Sequence, residues 1–122
     1  EPHGHGQPEL DLLGGRAQRL ESSGLGRHAC GWVFDREIQF DHQGITDWCI
    51  APTGETDAEG RRLKGVVHTD RGWWIIHAVG QEATWHEVSP SPDTRLECIS
   101  ATGPLDWQDQ EQRLLACIRS WE

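Results

Sequence analysis

Methionine, tyrosine and asparagine are missing from the 122 residues, and lysine occurs once, at Lys64. Alongside abundant arginine and glycine, this reads as a coding bias, so the choice of arginine over lysine carries no functional meaning. No apolar run approaches the ~20 residues that a membrane-spanning helix needs, so no membrane partner is expected. Basic excess is missing too. The formal net charge is −9, with 11 acids against 6 bases in residues 1–62 and 9 against 5 in residues 63–122. Without a basic patch to neutralise phosphates, nucleic acid is not an expected partner. An acidic surface fits a basic protein partner, or solubility alone. The chain also lacks a P-loop, a dinucleotide fingerprint, a nucleophile elbow, a zinc-protease motif and paired-cysteine zinc spacing. No catalytic centre, cofactor or metal site is therefore expected.

What the sequence does have is tryptophan, seven in all, and four cysteines at 30, 49, 98 and 117. An even cysteine count permits two disulfides. Cys98–Cys117 is the favoured pair in an oxidising compartment, because it would tie the last strand to a C-terminal helix; buried thiols account for the same residues.

Residues 1–8 alternate His and Gly and hold no core former, so they read as a flexible leader to a single α+β domain over residues 9–122. His3 and His5 in that leader could take up a stray metal ion. Glu9–Ser22 allows a short helix or a strand–turn–strand. From His28 the pattern becomes strand-like through HACGWVF, EIQFDHQ and ITDWCIA. Pro52–Arg62 reads as an exposed polar loop. Within it, GETDAEG (54–60) imitates the start of a calcium loop but has Val66 where a bidentate Glu belongs. Leu63–Val88 then forms a three-strand meander, with Asp70-Arg71-Gly72 and Gly80-Gln81-Glu82 as turns. RLECIS (95–100) is the last strand. Leu105–Trp121 reads as an amphipathic helix whose stripe is Trp107, Leu114, Leu115, Ile118 and Trp121; Gln110 and Glu111 interrupt the stripe, so its first turn should stand partly clear of the core.

Strands followed by a segregated helix give an α+β class: a strongly bent antiparallel sheet or partly open barrel of about seven strands with one C-terminal amphipathic helix. This element order is similar to that of the pleckstrin-homology superfold, but the basic lipid-headgroup signature of that family is replaced here by Asp35-Arg36-Glu37. A nuclear-transport-factor-like cone is the alternative if Glu9–Ser22 is helical.

The candidate binding residues are Trp48, Trp73, His77, Trp85 and His86. If Gln81-Glu82 is a two-residue loop, His77 directly opposes His86, close enough to share a metal or couple their titrations. His28 and Cys30 share a strand face, which is the beginning of a thiol–imidazole pair with nothing to orient it. Trp73 and Trp74 are adjacent on a strand and must point to opposite sides. Trp74 groups with Ile76 and Ala78, and Trp73 with His77, so Trp73 is expected on the functional side and Trp74 in the core. The expected function is a non-catalytic binding domain that recognises a protein partner through an acidic, tryptophan-bearing sheet face. The alternative is a pocket protein holding a small apolar ligand between the curved sheet and the C-terminal helix, with turnover by His77, His86 or Asp47.

Overall fold

Alternating apolar and polar residues carry most of the chain into extended strands, as seen in a computed structural model that describes residues 10–50, 61–100 and 106–120. A 3-10 turn over Leu10–Arg16 leads into the hairpin of β1 (Ala17–Gly24) and β2 (Arg27–Asp35). The short β3 (Gln39–Phe40) and helix α1 (His42–Trp48) follow. The central meander is β4 (Arg61–Thr69), β5 (Gly72–Val79) and β6 (Glu82–Val88), and then come β7 (Asp93–Ser100), α2 (Trp107–Leu115) and β8 (Ile118–Ser120). The six long strands lie in the order β1-β2-β7-β4-β5-β6, each antiparallel to its neighbour. Phe40 pairs parallel with Thr69, and β8 closes antiparallel on β3. Among the described residues the product is a mixed eight-stranded sheet curled into a half-barrel with two helices. It is the bent-sheet α+β class the sequence implies, with β1 settling the ambiguous N-terminal segment as a turn and a strand.

Three tight hairpins set the register. Leu25 and Gly26 turn β1 into β2 with φ of 53° and 78°, Asp70-Arg71 joins β4 to β5, and Gly80, with φ of 59°, opens the turn into β6. At Gly65 the sheet bends so sharply that a Cβ would collide with the Arg95 carbonyl oxygen and lie 2.8 Å from Leu96 Cα. Only glycine permits that approach.

Two segments depart from expectation. ITDWCIA is not a strand, because Asp41 caps α1 by accepting from the Gly44 N–H at 2.7 Å. Ile45, Trp48 and Cys49 then fall on one buried helical face. At the other end α2 stops at Leu115 and Ile118 joins the sheet opposite Phe40, so Ile118 is not part of the helical stripe. Gln110 and Glu111 are buried rather than clear of the core. Arg61 is likewise buried as the first residue of β4, not exposed in a loop. The leader 1–8, with His3 and His5, the GETDAEG segment and Trp121 lie outside the described residues.

Candidate functional site

The inner side of the sheet, under the helices, is filled by side chains. Cys30, Trp32, Phe34, Leu63, Val67, Ile76, Leu96 and Cys98 point inward and pack against Ile45, Leu114 and Leu115 from the helices. Trp32 meets Trp48 and Trp107 edge-on, with ring centroids 5.8 and 6.4 Å away. The space between sheet and α2, where the alternative reading places an apolar ligand, is therefore occupied by tryptophan and leucine.

Buried polar atoms in this layer are bonded to α2. Glu111 Oε1 accepts from Trp32 Nε1 at 3.1 Å and from Arg19 Nη1 at 3.2 Å. Trp48 Nε1 donates to the Gln110 carbonyl at 3.0 Å, and Arg61 Nη2 donates to Gln110 Oε1 at 3.0 Å. Trp48 is thus a core residue that fixes the helix in place. The gap in the apolar stripe is the set of acceptors for two tryptophan N–H groups and two arginines.

Beside the β4–β5 turn, where the His42 backbone N–H donates to Asp70 Oδ1 at 2.7 Å, the His42 ring sits against Trp85 at 4.7 Å and Trp74 at 5.3 Å. Its Nδ1 is buried without a hydrogen-bond partner. Trp85 faces inward here, opposite Ile76. His42 was missed in the sequence because it reads as a strand residue; the Asp41 cap two positions before Gln43 was the available signal.

Trp73, His77 and His86 lie on the other, outer side. The β5–β6 turn is Gly80-Gln81, one residue earlier than expected, because Gly80 supplies the positive φ that the first central position of such a turn takes. His77 consequently opposes Thr84, and His86 opposes Ile75; the two histidines share a face as diagonal rather than direct neighbours. Both are exposed. Trp73 does point to this side and Trp74 to the inner one, but their burial runs the other way. Trp73 is only 6% exposed, with the His68 ring stacked flat on it at 4.7 Å. His68 Nδ1 bonds the Arg36 carbonyl at 2.8 Å, which requires its proton on Nδ1. Trp74 is half-buried at the sheet end. A groove of about 600 Å³ crosses the same outer face, lined by Leu20, Gly31, Val33, Val66, Ile75 and His77 among others. The five candidate residues therefore divide between two faces and do not form one site.

The four cysteines are free thiols. Cys98 stands opposite Cys30 on the inner face, while Cys117 lies beside Gly44, so the expected Cys98–Cys117 bridge is not formed. Burial pushes the Cys30 thiol up to about 12, and Cys49 and Cys117 up to about 11. These three stay protonated near neutrality and make poor soft-metal donors. Among the described residues no group of three or more His, Cys, Asp or Glu side chains gathers as a metal centre, and no helix is long and apolar enough to cross a membrane.

Residues 29–118 match the family model described as the cobalamin synthesis protein cobW C-terminal domain. Over 103 residues, 82% of this chain, the sequence is 36% identical to the zinc chaperone YeiR of Escherichia coli (strain K12). The match covers 29% of that relative, so the chain spans less than a third of its length. No solved structure matches the chain. These matches overturn the expectation of a domain that recognises a protein partner through an acidic tryptophan-bearing face, and the filled layer under α2 leaves no room for the apolar ligand of the alternative reading there. Both had rested on unexplained tryptophans, and the structure assigns Trp32, Trp48 and Trp107 to packing.

Proposed function

The chain belongs to the cobalamin synthesis protein cobW C-terminal domain family, and on that premise we propose that it serves metal handling, as the corresponding domain of a zinc-chaperone-like protein with zinc as cargo. The observation that carries this reading is the family match over residues 29–118, which runs from within β2 to the start of β8. It takes in both helices and every inner-face strand except β1. The 36% identity to a zinc chaperone supports zinc as the metal.

The donor chemistry is compatible with borderline metals held by nitrogen. Three of the cysteines are held as thiols by burial, whereas His77 and His86 offer exposed imidazoles, and imidazole suits zinc. The rigid inner layer, tied to α2 through Glu111 and Gln110, would keep the outer face in fixed register while cargo is passed.

A segment exchange tests the reading. In the Escherichia coli relative, the segment matched by this chain is replaced by this chain, and zinc transfer to a zinc-dependent acceptor is followed under limiting metal. The exchanged protein should transfer zinc, and a version lacking the segment should not. A folded exchange protein that transfers no better than the deletion would refute the proposal.

A further inference from the structure

We infer that His77 and His86 form a two-histidine landing site for zinc or a similar borderline divalent cation on the outer face of the β5–β6 hairpin, a site that rests on the metal-handling reading above. The two residues occupy adjacent antiparallel strands on one face, offset by a single row. Diagonal neighbours of this kind have Cβ atoms about 7–8 Å apart or slightly less. An imidazole extended by a Zn–N bond of about 2.0–2.1 Å reaches past half of that gap from each side, so one ion can bridge both rings, with water completing its shell.

Several observations single out this pair. Both rings are exposed, and neither makes a hydrogen bond, ion pair or ring contact among the described residues. The other histidines of this region are committed. His68 is stacked on Trp73 and bonded to the Arg36 carbonyl, and His42 is wedged between Trp74 and Trp85. The hairpin beneath the pair is closed by a two-residue turn at Gly80-Gln81, so little ordering is left for a bound ion to impose. Local charge is tolerable for a cation. Lys64 lies opposite His77 across β4, but its ammonium is 3.7 Å from the Glu97 carboxylate, and Glu82 is the other diagonal neighbour of His77.

The test uses the whole chain with His3→Ala and His5→Ala, which removes the two leader imidazoles, and zinc chloride as the probe. Ring signals of the histidines are followed by NMR while zinc is added to equimolar amount. The His77 and His86 rings should shift together, with His28 and His68 unmoved. His77→Ala and His86→Ala should each weaken zinc binding by about tenfold or more, the scale on which even an outer partner of a metal site matters; His28→Ala should not. Both substitutions are at exposed positions, so the fold survives them. Movement of only one ring, or unchanged affinity in His77→Ala, overturns the site. Should the exchange protein transfer zinc while the pair stays silent, the site falls and the metal-handling reading stands. Should the pair bind zinc while the exchange protein transfers none, the reading falls and the site stands.

Discussion

On the inner face of the sheet Trp32, Phe34 and Ile76 have no exposed surface, whereas on the outer face Leu20 is 62% and Ile75 is 44% exposed. Both faces come from the same strands and the same alternation. The difference lies in cover. Helices α1 and α2 lie over the inner side and bring Ile45, Leu114 and Leu115 to it, and no helix among the described residues does so for the outer side. Trp73 and Trp74 show that side and burial are separate properties. The outward ring is sealed by a stacked histidine, and the inward one stands half-open at the end of the barrel. Hydrophobicity chooses which residues can be covered; neighbours decide which are.

The comparison is broken most severely by removing the cover. Truncation after Arg113 deletes Leu114 and Leu115, each fully buried and each worth ~1.5–3 kcal/mol, together with β8. Against a typical domain stability of ~5–15 kcal/mol the truncated chain should not fold, and a cooperative melt would contradict this. Trp32→Ala comes next, at ~3–5 kcal/mol by urea unfolding, because it opens a cavity and takes a donor from Glu111. Trp73→Ala should then cost about 3 kcal/mol and Trp74→Ala about half of that. A larger loss at Trp74 would mean that side, not cover, governs.

Inner-face thiols give a pH signature of smaller size. Cys30 rises from 9.0 to about 12, and Cys49 and Cys117 from 9.0 to about 11. Above pH 9 the unfolded chain has lost protons that the folded chain keeps, so the folded state binds more of them. Stability from this source is complete below pH 9 and declines as pH rises toward 11–12. Cys30→Ala should flatten the fall in urea midpoint between pH 9 and pH 11, and an identical slope would show that the thiol is not sequestered. The smallest effect is at the uncovered face: Ile75→Thr should stay within ~0.5 kcal/mol of the parent.

Legibility followed range. The meander from Leu63 to Val88 could be read because its alternation and turn residues lie within a few positions of one another. The Gly80-Gln81 register differs from the Gln81-Glu82 reading by one residue, since both loops suit the local sequence and only the preference for glycine at the first turn position separates them. ITDWCIA was misread because its β-branched and aromatic content favours a strand, while the Ile45–Trp48 spacing and the Asp41 cap favour a helix; packing against α2 decided between them. For His77 and His86 the shared face was legible, and their diagonal placement was not.

By itself the sequence determined the α+β class, the three strands of the central meander, and the opposite faces to which Trp73 and Trp74 point. Those are properties of neighbours along the chain, set by backbone stereochemistry and a period of two. Tertiary structure alone decided that Gln110 and Glu111 are buried acceptors, that Trp73 is covered, that Cys98 faces Cys30 rather than Cys117, and that β8 returns to β3. Each of these depends on groups brought together from distant parts of the chain, such as Trp32 and Glu111, 79 residues apart. No local pattern encodes the burial and hydrogen-bond satisfaction that such pairs share.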